Sequence, residues 1–358
     1  MKIFLISNMY PSFKNPSYGV FVENAVKELS SLGAEFTCLS VIKDRTKNRY
    51  KKILKYARYY LDIVKKYFFG EYDIVYIHFL SHNTPILYLL LLIRGKKRKW
   101  VVNVHGSDIV ESTGKKIDKY NEKVLRGVDM IVVPSLYFKK LMLNQYPNIC
   151  EKKYFISPSG GIDTNVFFPI LEKEKNNIPL LGYISRIDNG KGWDVFLKAL
   201  HLLKEEDVRF HATIIGSGEE VKEMEQSIIT LKLSRYVSYY PSQSQKELAN
   251  FYRGFDVFIF PSTLNESLGL VGLEAMACGT PVIGSEKAGI KTYVKDYVNG
   301  MLFTPNDAED LFVKIKEYLL LSEKKLQFME REAYNTSKDY EKTYVMEQLY
   351  ENFKKLLE

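Results

Sequence analysis

Apolar and polar positions alternate between two textures along the first half of the chain. Short runs rich in β-branched and aromatic residues predict buried strands at 2–7, 35–41, 73–79, 100–105, 130–134 and 154–157. Between them, apolar residues recur at helical spacing and predict helices at about 20–32, 49–69, 84–94, 115–126 and 136–144. Strand and helix in strict alternation imply a parallel sheet with helices packed on its faces.

The rhythm resumes after the polar stretch 171–177, which reads as a linker. Strands are expected at 180–184, 211–215, 237–240, 256–260 and 281–284, with helices at 193–204 and 308–321 and a shorter one near 289–293. A long amphipathic helix at about 340–357 closes the chain. Two α/β domains follow, over residues 1–165 and 166–337, with 338–358 as a terminal helix. A chain of 358 residues, 46% hydrophobic, is long enough for two cores and too long for one ordinary core.

Charge divides the two halves. Residues 1–165 hold 27 Lys+Arg against 14 Asp+Glu, a net +13, whereas residues 166–358 hold 24 against 29, a net −5. The excess clusters at Lys43, Arg45, Lys47, Arg49, Lys51, Lys52, Lys55 and Arg58, at Lys65 and Lys66, and from Arg94 to Lys99. Tyr50, Tyr56, Tyr59, Tyr60, Tyr67, Phe68 and Phe69 are interleaved with it. Such a helix is either a solvated face or a surface for an anionic membrane. Nucleic acid is the weaker alternative, because no motif for it occurs. The longest apolar run, 85–93, is far short of the ~20 residues that span a bilayer. Cys38, Cys150 and Cys278 have no metal or disulfide spacing, and the opening run of apolar residues stops at Asn8 without a cleavage-like site. A cytoplasmic protein is expected, held peripherally at the inner face of the cell membrane if the basic helix binds lipid.

Candidate chemistry centres on the stretch from Pro261 to Pro281. A strand ends at Phe260, a loop follows, and a short helix runs to Gly279-Thr280-Pro281. This is the strand-to-helix turn of a βαβ unit, at the carboxyl edge where open parallel sheets bind ligands. Glu266 and Glu274 bracket the turn, and the amides of Gly269, Leu270 and Val271 stand at the expected helix start, suited to a phosphate. Eight helical steps span ~12 Å, about the reach from the hexose to the ribose of a nucleotide sugar. Two surface carboxylates near a helix start are the plain alternative. Arg186 and Lys191 occupy another strand-to-helix loop, where both could meet a phosphate, and no Asp-x-Asp triplet offers a metal to do so.

Glu266-Ser267-Leu268-Gly269 followed by Glu274-Ala275-Met276-Ala277, Gly279 and Pro281-Val282 resembles the E-x7-E signature of retaining GT-B glycosyltransferases of family 4. Arg186 with Lys191-Gly192 is similar to that family's G-R-x-x-x-x-K-G pattern, with Ser185 in place of the glycine. The resemblance extends over nearly the whole chain. It implies two Rossmann-like domains facing a cleft, the first for the acceptor and the second for the donor, with the terminal helix packing back on the first. It assigns Glu266 to sugar hydroxyls and Glu274 to the ribose. Ser267, Leu268, Gly269, Leu270 and Val271 fall to donor binding, and Gly216 and Gly218 to the corner beside the base. In the first domain, Gly19 stands where relatives carry a glycine-rich loop against the donor phosphates. His105 in His105-Gly106-Ser107-Asp108 falls to the donor sugar, and Asp108 to the acceptor side. A turn glycine and a strand-end histidine bonded to a carbonyl are the plain alternatives for Gly19 and His105. Ser159 replaces the usual asparagine of a P-N-G-x-D segment.

The expected activity is transfer of a hexose from a nucleotide diphosphate sugar, a UDP-sugar first and a GDP-sugar next, to a glycan or lipid-linked hydroxyl in cell-surface polysaccharide assembly. His105, Arg186, Lys191 and Glu266 form the catalytic group, with no cofactor and no metal. Two rivals stay open: a GT-B nucleotide-sugar epimerase, and a non-catalytic nucleotide-sugar-binding or scaffold subunit.

Overall fold

The computed structural model describes residues 1–15, 18–44, 46, 48–93, 98–110, 114, 116–170 and 176–358. Of the residues the sequence singles out, Arg45, Lys47, Arg94, Lys96, Lys97 and the linker stretch 171–175 lie outside these, as does the predicted helix start at 115. The chain forms two units, Met1–Gly161 with Thr343–Glu358, and Ile162–Lys342.

In the first unit the elements run β1 (Lys2–Ser7), α1 (Val20–Ser31), β2 (Glu35–Val41), α2 (Arg49–Phe69), β3 (Ile74–His78), α3 (Thr84–Leu92), β4 (Lys99–Asn103), α4 (Ser107–Val110), α5 (Lys116–Gly127), β5 (Met130–Val133), α6 (Leu136–Gln145) and β6 (Tyr154–Ile156). Six parallel strands are ordered β2-β1-β3-β4-β5-β6. Successive strand residues point to opposite faces. Phe4, Ile6, Val75 and Ile77 therefore pack under α2, α3, α5 and α6, while Ile3, Leu5, Ile74 and Tyr76 face the opposite layer with Val22 and Leu29 of α1. Burial on both sides explains why these strands read as nearly unbroken apolar runs.

The second unit runs β7 (Leu180–Ile184), α7 (Trp193–Glu205), β8 (His211–Ile215), α8 (Val221–Thr230), β9 (Val237–Tyr240), α9 (Gln245–Gly254), β10 (Val257–Phe260), α10 (Leu270–Ala277), β11 (Val282–Ser285), β12 (Gly300–Phe303), α11 (Ala308–Leu319) and α12 (Glu323–Lys338). Its parallel sheet is ordered β12-β11-β10-β7-β8-β9. The order reverses between β7 and β10, which pair directly although two strands separate them in sequence. Loops leaving their carboxyl ends must diverge to opposite faces, and this opens a crevice there.

Helix α13 (Lys342–Leu357) follows α12 and belongs to the first unit. Val345, Met346, Leu349 and Phe353 are buried, the last three sharing a core with Leu5, Tyr76 and Val132. The predicted terminal helix begins two residues earlier than α13. The helix expected near 289–293 is a single 3₁₀ turn, Ile290–Thr292. Helices α8, α9 and α12 have no counterpart in the sequence reading.

Candidate functional site

Two loops meet at the reversal point of the second sheet. One leaves β7 and carries Arg186 and Lys191; the other leaves β10 and carries Glu266. They are stapled through backbone, Thr263 N–H donating to Gly190 O at 2.8 Å. Gly192 starts α7 at φ +77°, and a Cβ there would lie 1.9 Å from Pro261 O. Only glycine allows the two loops this close.

That approach brings Lys191 onto Glu266. Lys191 Nζ donates to Glu266 Oε1 at 2.7 Å, and Ser262 Oγ donates to the same oxygen at 2.7 Å. The side chains of the pair are 14% and 18% exposed, so solvent screens them poorly. Beneath them, Gly289 N–H donates to Glu266 O at 2.9 Å and holds the loop. An ammonium has three N–H groups, so two remain for a ligand once Glu266 is bonded. Arg186 lies differently: its side chain is 70% exposed and its Nη1 donates to Asp188 Oδ2 at 2.5 Å. Asp188 Oδ1 in turn accepts from Glu219 N–H at 2.9 Å.

Helix α10 begins at Gly269, with φ +91° and no side-chain cap on its first turn. Leu268 is buried, and Leu270 and Val271 pack partly against the core. Glu274 is one helical turn further on and half-buried. Its Oε2 accepts from the Tyr252 hydroxyl at 3.1 Å, and burial pushes its carboxyl up to about 7 against the opposing pull of that bond. Gly216 and Gly218 follow β8, where a Cβ would meet Ser185 O at 1.8 Å and Ile187 O at 2.2 Å respectively. Their bare backbone thus packs against the loop of Arg186. The second unit thereby gathers Arg186, Lys191, Glu266 and the glycines at one sheet edge, with Glu274 on the helix that starts there.

In the first unit, His105 follows β4 and stacks on His78, the last residue of β3, with ring centroids 5.2 Å apart. His78 Nδ1 and His105 Nε2 share a hydrogen bond of 3.0 Å. Burial pushes His105 down to about 3 and His78 well below the usual value, so both rings are neutral. His105 is thus a hydrogen-bonding group and not a cation. Phe21 and Phe79 complete its cage at 4.8 and 4.5 Å between centroids. Asp108 is 4% exposed, with Oδ1 accepting from the N–H groups of His105 and Gly106, each at 3.0 Å, and Oδ2 accepting from Leu80 N–H at 2.9 Å. Its carboxylate ties the end of β4 to the loop after β3. Gly19 starts α1 at φ +76°, where a Cβ would lie 2.6 Å from the Met9 carbonyl carbon.

Residues 166–336 match the family model of the glycosyl transferases group 1. That stretch, just under half of the chain, contains the whole Arg186, Lys191, Glu266 and Glu274 arrangement. Among curated relatives, the D-inositol 3-phosphate glycosyltransferase of Xylanimonas cellulosilytica is 31% identical over 215 residues, 56% of this chain and 50% of that protein. Its counterpart from Thermomonospora curvata is 31% identical over 211 residues, 53% of this chain and 48% of that protein. The chain spans about half the length of the curated relatives it matches. Solved structures share the fold along the whole chain. Sucrose-phosphate synthase from Thermosynechococcus elongatus superposes with a TM-score of 0.79 at 17% identity, covering 99% of both chains. Anabaena HepE in complex with UDP gives 0.79 at 18% identity, covering 99% of this chain and 100% of that one. The fold is the two-domain GT-B architecture.

Sequence reasoning passed over Ser262, Thr263, Tyr252 and His78. For His78 a signal exists: two histidines stand at the ends of predicted neighbouring strands, and parallel pairing sets His78 opposite Asn103. Tyr252 is 22 residues from Glu274, with nothing local to join them.

Proposed function

We propose that the chain is a retaining, metal-independent glycosyltransferase that moves a hexose from a nucleotide diphosphate sugar, a UDP-sugar first and a GDP-sugar next, to the hydroxyl of a glycan or lipid-linked sugar. One observation carries this reading: Lys191, Glu266 and Ser262 converge at the reversal point of the second sheet, inside the stretch matching the glycosyl transferases group 1. The likeness to a UDP-bound neighbour supports the donor class, and the basic first unit suits an anionic, membrane-borne acceptor in cell-surface polysaccharide assembly.

In this reading the bond from the anomeric carbon to the diphosphate oxygen breaks as the acceptor oxygen bonds the same carbon on the same face. The acceptor proton passes to an oxygen of the departing diphosphate. Lys191, through its two remaining N–H groups, and Arg186, released from Asp188, stabilise the charge growing on the leaving group, together with the amides at the start of α10. Glu266, held by Lys191 and Ser262, receives sugar hydroxyls, and Glu274 the ribose. Neutral His105 donates or accepts a hydrogen bond at the sugar, with Asp108 fixing the backbone beneath it.

Thermal shift against UDP-, GDP- and ADP-sugars tests the donor, since bound nucleotide raises the melting temperature by mass action. Product NMR with and without acceptor then tests the reaction and the anomeric outcome. Stabilisation by UDP-sugars in the presence of a chelator, with an acceptor-dependent product of retained configuration, is expected. Release of free sugar or its 2-epimer without acceptor refutes transfer, and binding without turnover leaves a scaffold.

A further inference from the structure

His78 ends β3 paired with Asn103 of β4, and His105 follows shortly after Asn103. Backbone and packing hold both rings. Asn83, fully buried, donates from Nδ2 to His78 O at 3.1 Å and accepts at Oδ1 from the Tyr59 hydroxyl at 2.8 Å. The Tyr76 ring lies against His78 with centroids 4.4 Å apart, while Phe21 and Phe79 confine His105. His78 is 1% exposed, and its Nε2 has no hydrogen-bond partner among the described residues. His105 is half-buried, with Nε2 engaged by His78 Nδ1 at 3.0 Å. Only Nδ1 of the His105 ring is therefore left for a ligand.

Burial keeps both rings neutral. A neutral imidazole carries one N–H and one bare nitrogen, so the role of one nitrogen dictates that of the other. The bond between the two rings consequently has two arrangements. If His105 donates from Nε2, His78 accepts at Nδ1 and keeps its proton on Nε2, a buried N–H with no acceptor. If His78 donates from Nδ1, its buried Nε2 is a bare lone pair and His105 carries its proton on Nδ1. Buried N–H groups without an acceptor are rarer in folded proteins than unfilled acceptors. The second arrangement is thus favoured, and it makes the free nitrogen of His105 a donor.

We propose that His78 is a positioning residue that sets the tautomer of His105, so that Nδ1 of His105 offers a sugar oxygen an N–H and not a bare nitrogen. His78 acts only through the ring of His105. The kinetic consequence rests on the reading that places His105 at the sugar, whereas the tautomer is a property of the free chain.

Nitrogen-15 NMR of the full chain, labelled at its five histidines, tests it directly, because a protonated ring nitrogen resonates far upfield of a bare one. Loss of signals in His105→Gln and His78→Asn assigns the two rings. Protons on Nδ1 of both are expected. A proton on Nε2 of His105, or a mixture of tautomers, overturns the proposal, and this spectrum of the parent chain decides even where a variant fails to fold. Kinetics give a second readout. His78→Leu fills the buried site without a hydrogen bond and should lower kcat/KM for the UDP-sugar by about tenfold. His78→Asn, whose amide nitrogen stands near the place of the ring Nδ1, should recover most of that loss and keep the proton of His105 on Nδ1. A role in packing alone predicts the reverse, His78→Leu resembling the parent and His78→Asn impaired, and that order also overturns the proposal. The expected spectrum from a chain that transfers no sugar supports the tautomer and refutes the transfer reading alone.

Discussion

If Glu274 holds the ribose, donor affinity must carry a proton. Its carboxyl titrates at about 7 in the free protein because burial disfavours the charge, and hydroxyls donate best to the ionised form. Binding therefore expels the proton and returns the group toward the ordinary carboxylate range. With a bound value near ~4.5, ~0.9 proton leaves per nucleotide at pH 6 and ~0.1 at pH 8, so affinity rises about tenfold between them. Neighbouring ionisable groups do not blur this. Tyr252 and Tyr293 are held well above the usual value by burial, and Cys278 is pushed up to about 12 by the same cause. Calorimetry with UDP-glucose, which has no titrating phosphate in this range, in buffers of different ionisation enthalpy reads both proton release and affinity. Glu274→Gln should abolish the pH dependence. A parent affinity that is flat from pH 6 to 8, or an identical slope in Glu274→Gln, refutes the assignment.

Lys191→Ala removes the cation bonded to Glu266 and should lower kcat by ~10²–10³-fold; steady-state turnover near the parent value would take Lys191 out of the chemistry. Gly192→Ala forces a Cβ against Pro261 O at positive φ and should cost at least ~2 kcal/mol in urea unfolding. Gly254→Ala, at the end of α9 where an added Cβ meets nothing within 4 Å, should instead stabilise by ~0.5–1 kcal/mol; equal effects of the two would refute the close approach of the loops.

The neutral histidine pair narrows what the first unit can contribute. A ring whose protonation is suppressed to about 3 supplies no positive charge near pH 7, so in the proposed reaction the charge on the leaving group would fall to Lys191, Arg186 and amides. Asp108 acts through backbone: three N–H groups bond its two oxygens, and its 4% exposure suits it to holding His105 in place.

By itself the sequence determined what local pattern encodes. Strands buried on both faces keep continuous apolar runs, so β1, β3 and β10 were legible, as was the turn carrying Glu266. Helices α8 and α12 are polar over most of their length and gave little period to read. The Ser244–Glu247 capping box of α9 was a usable mark. Only the tertiary structure decided which distant groups meet. Lys191 and Glu266 are 75 residues apart and touch because β7 and β10 are neighbours across the reversal of strand order, an arrangement set by how both sheet faces are covered. Helix α13 joins the first sheet for the same reason: Met346, Leu349 and Phe353 complete a core that the preceding chain leaves open.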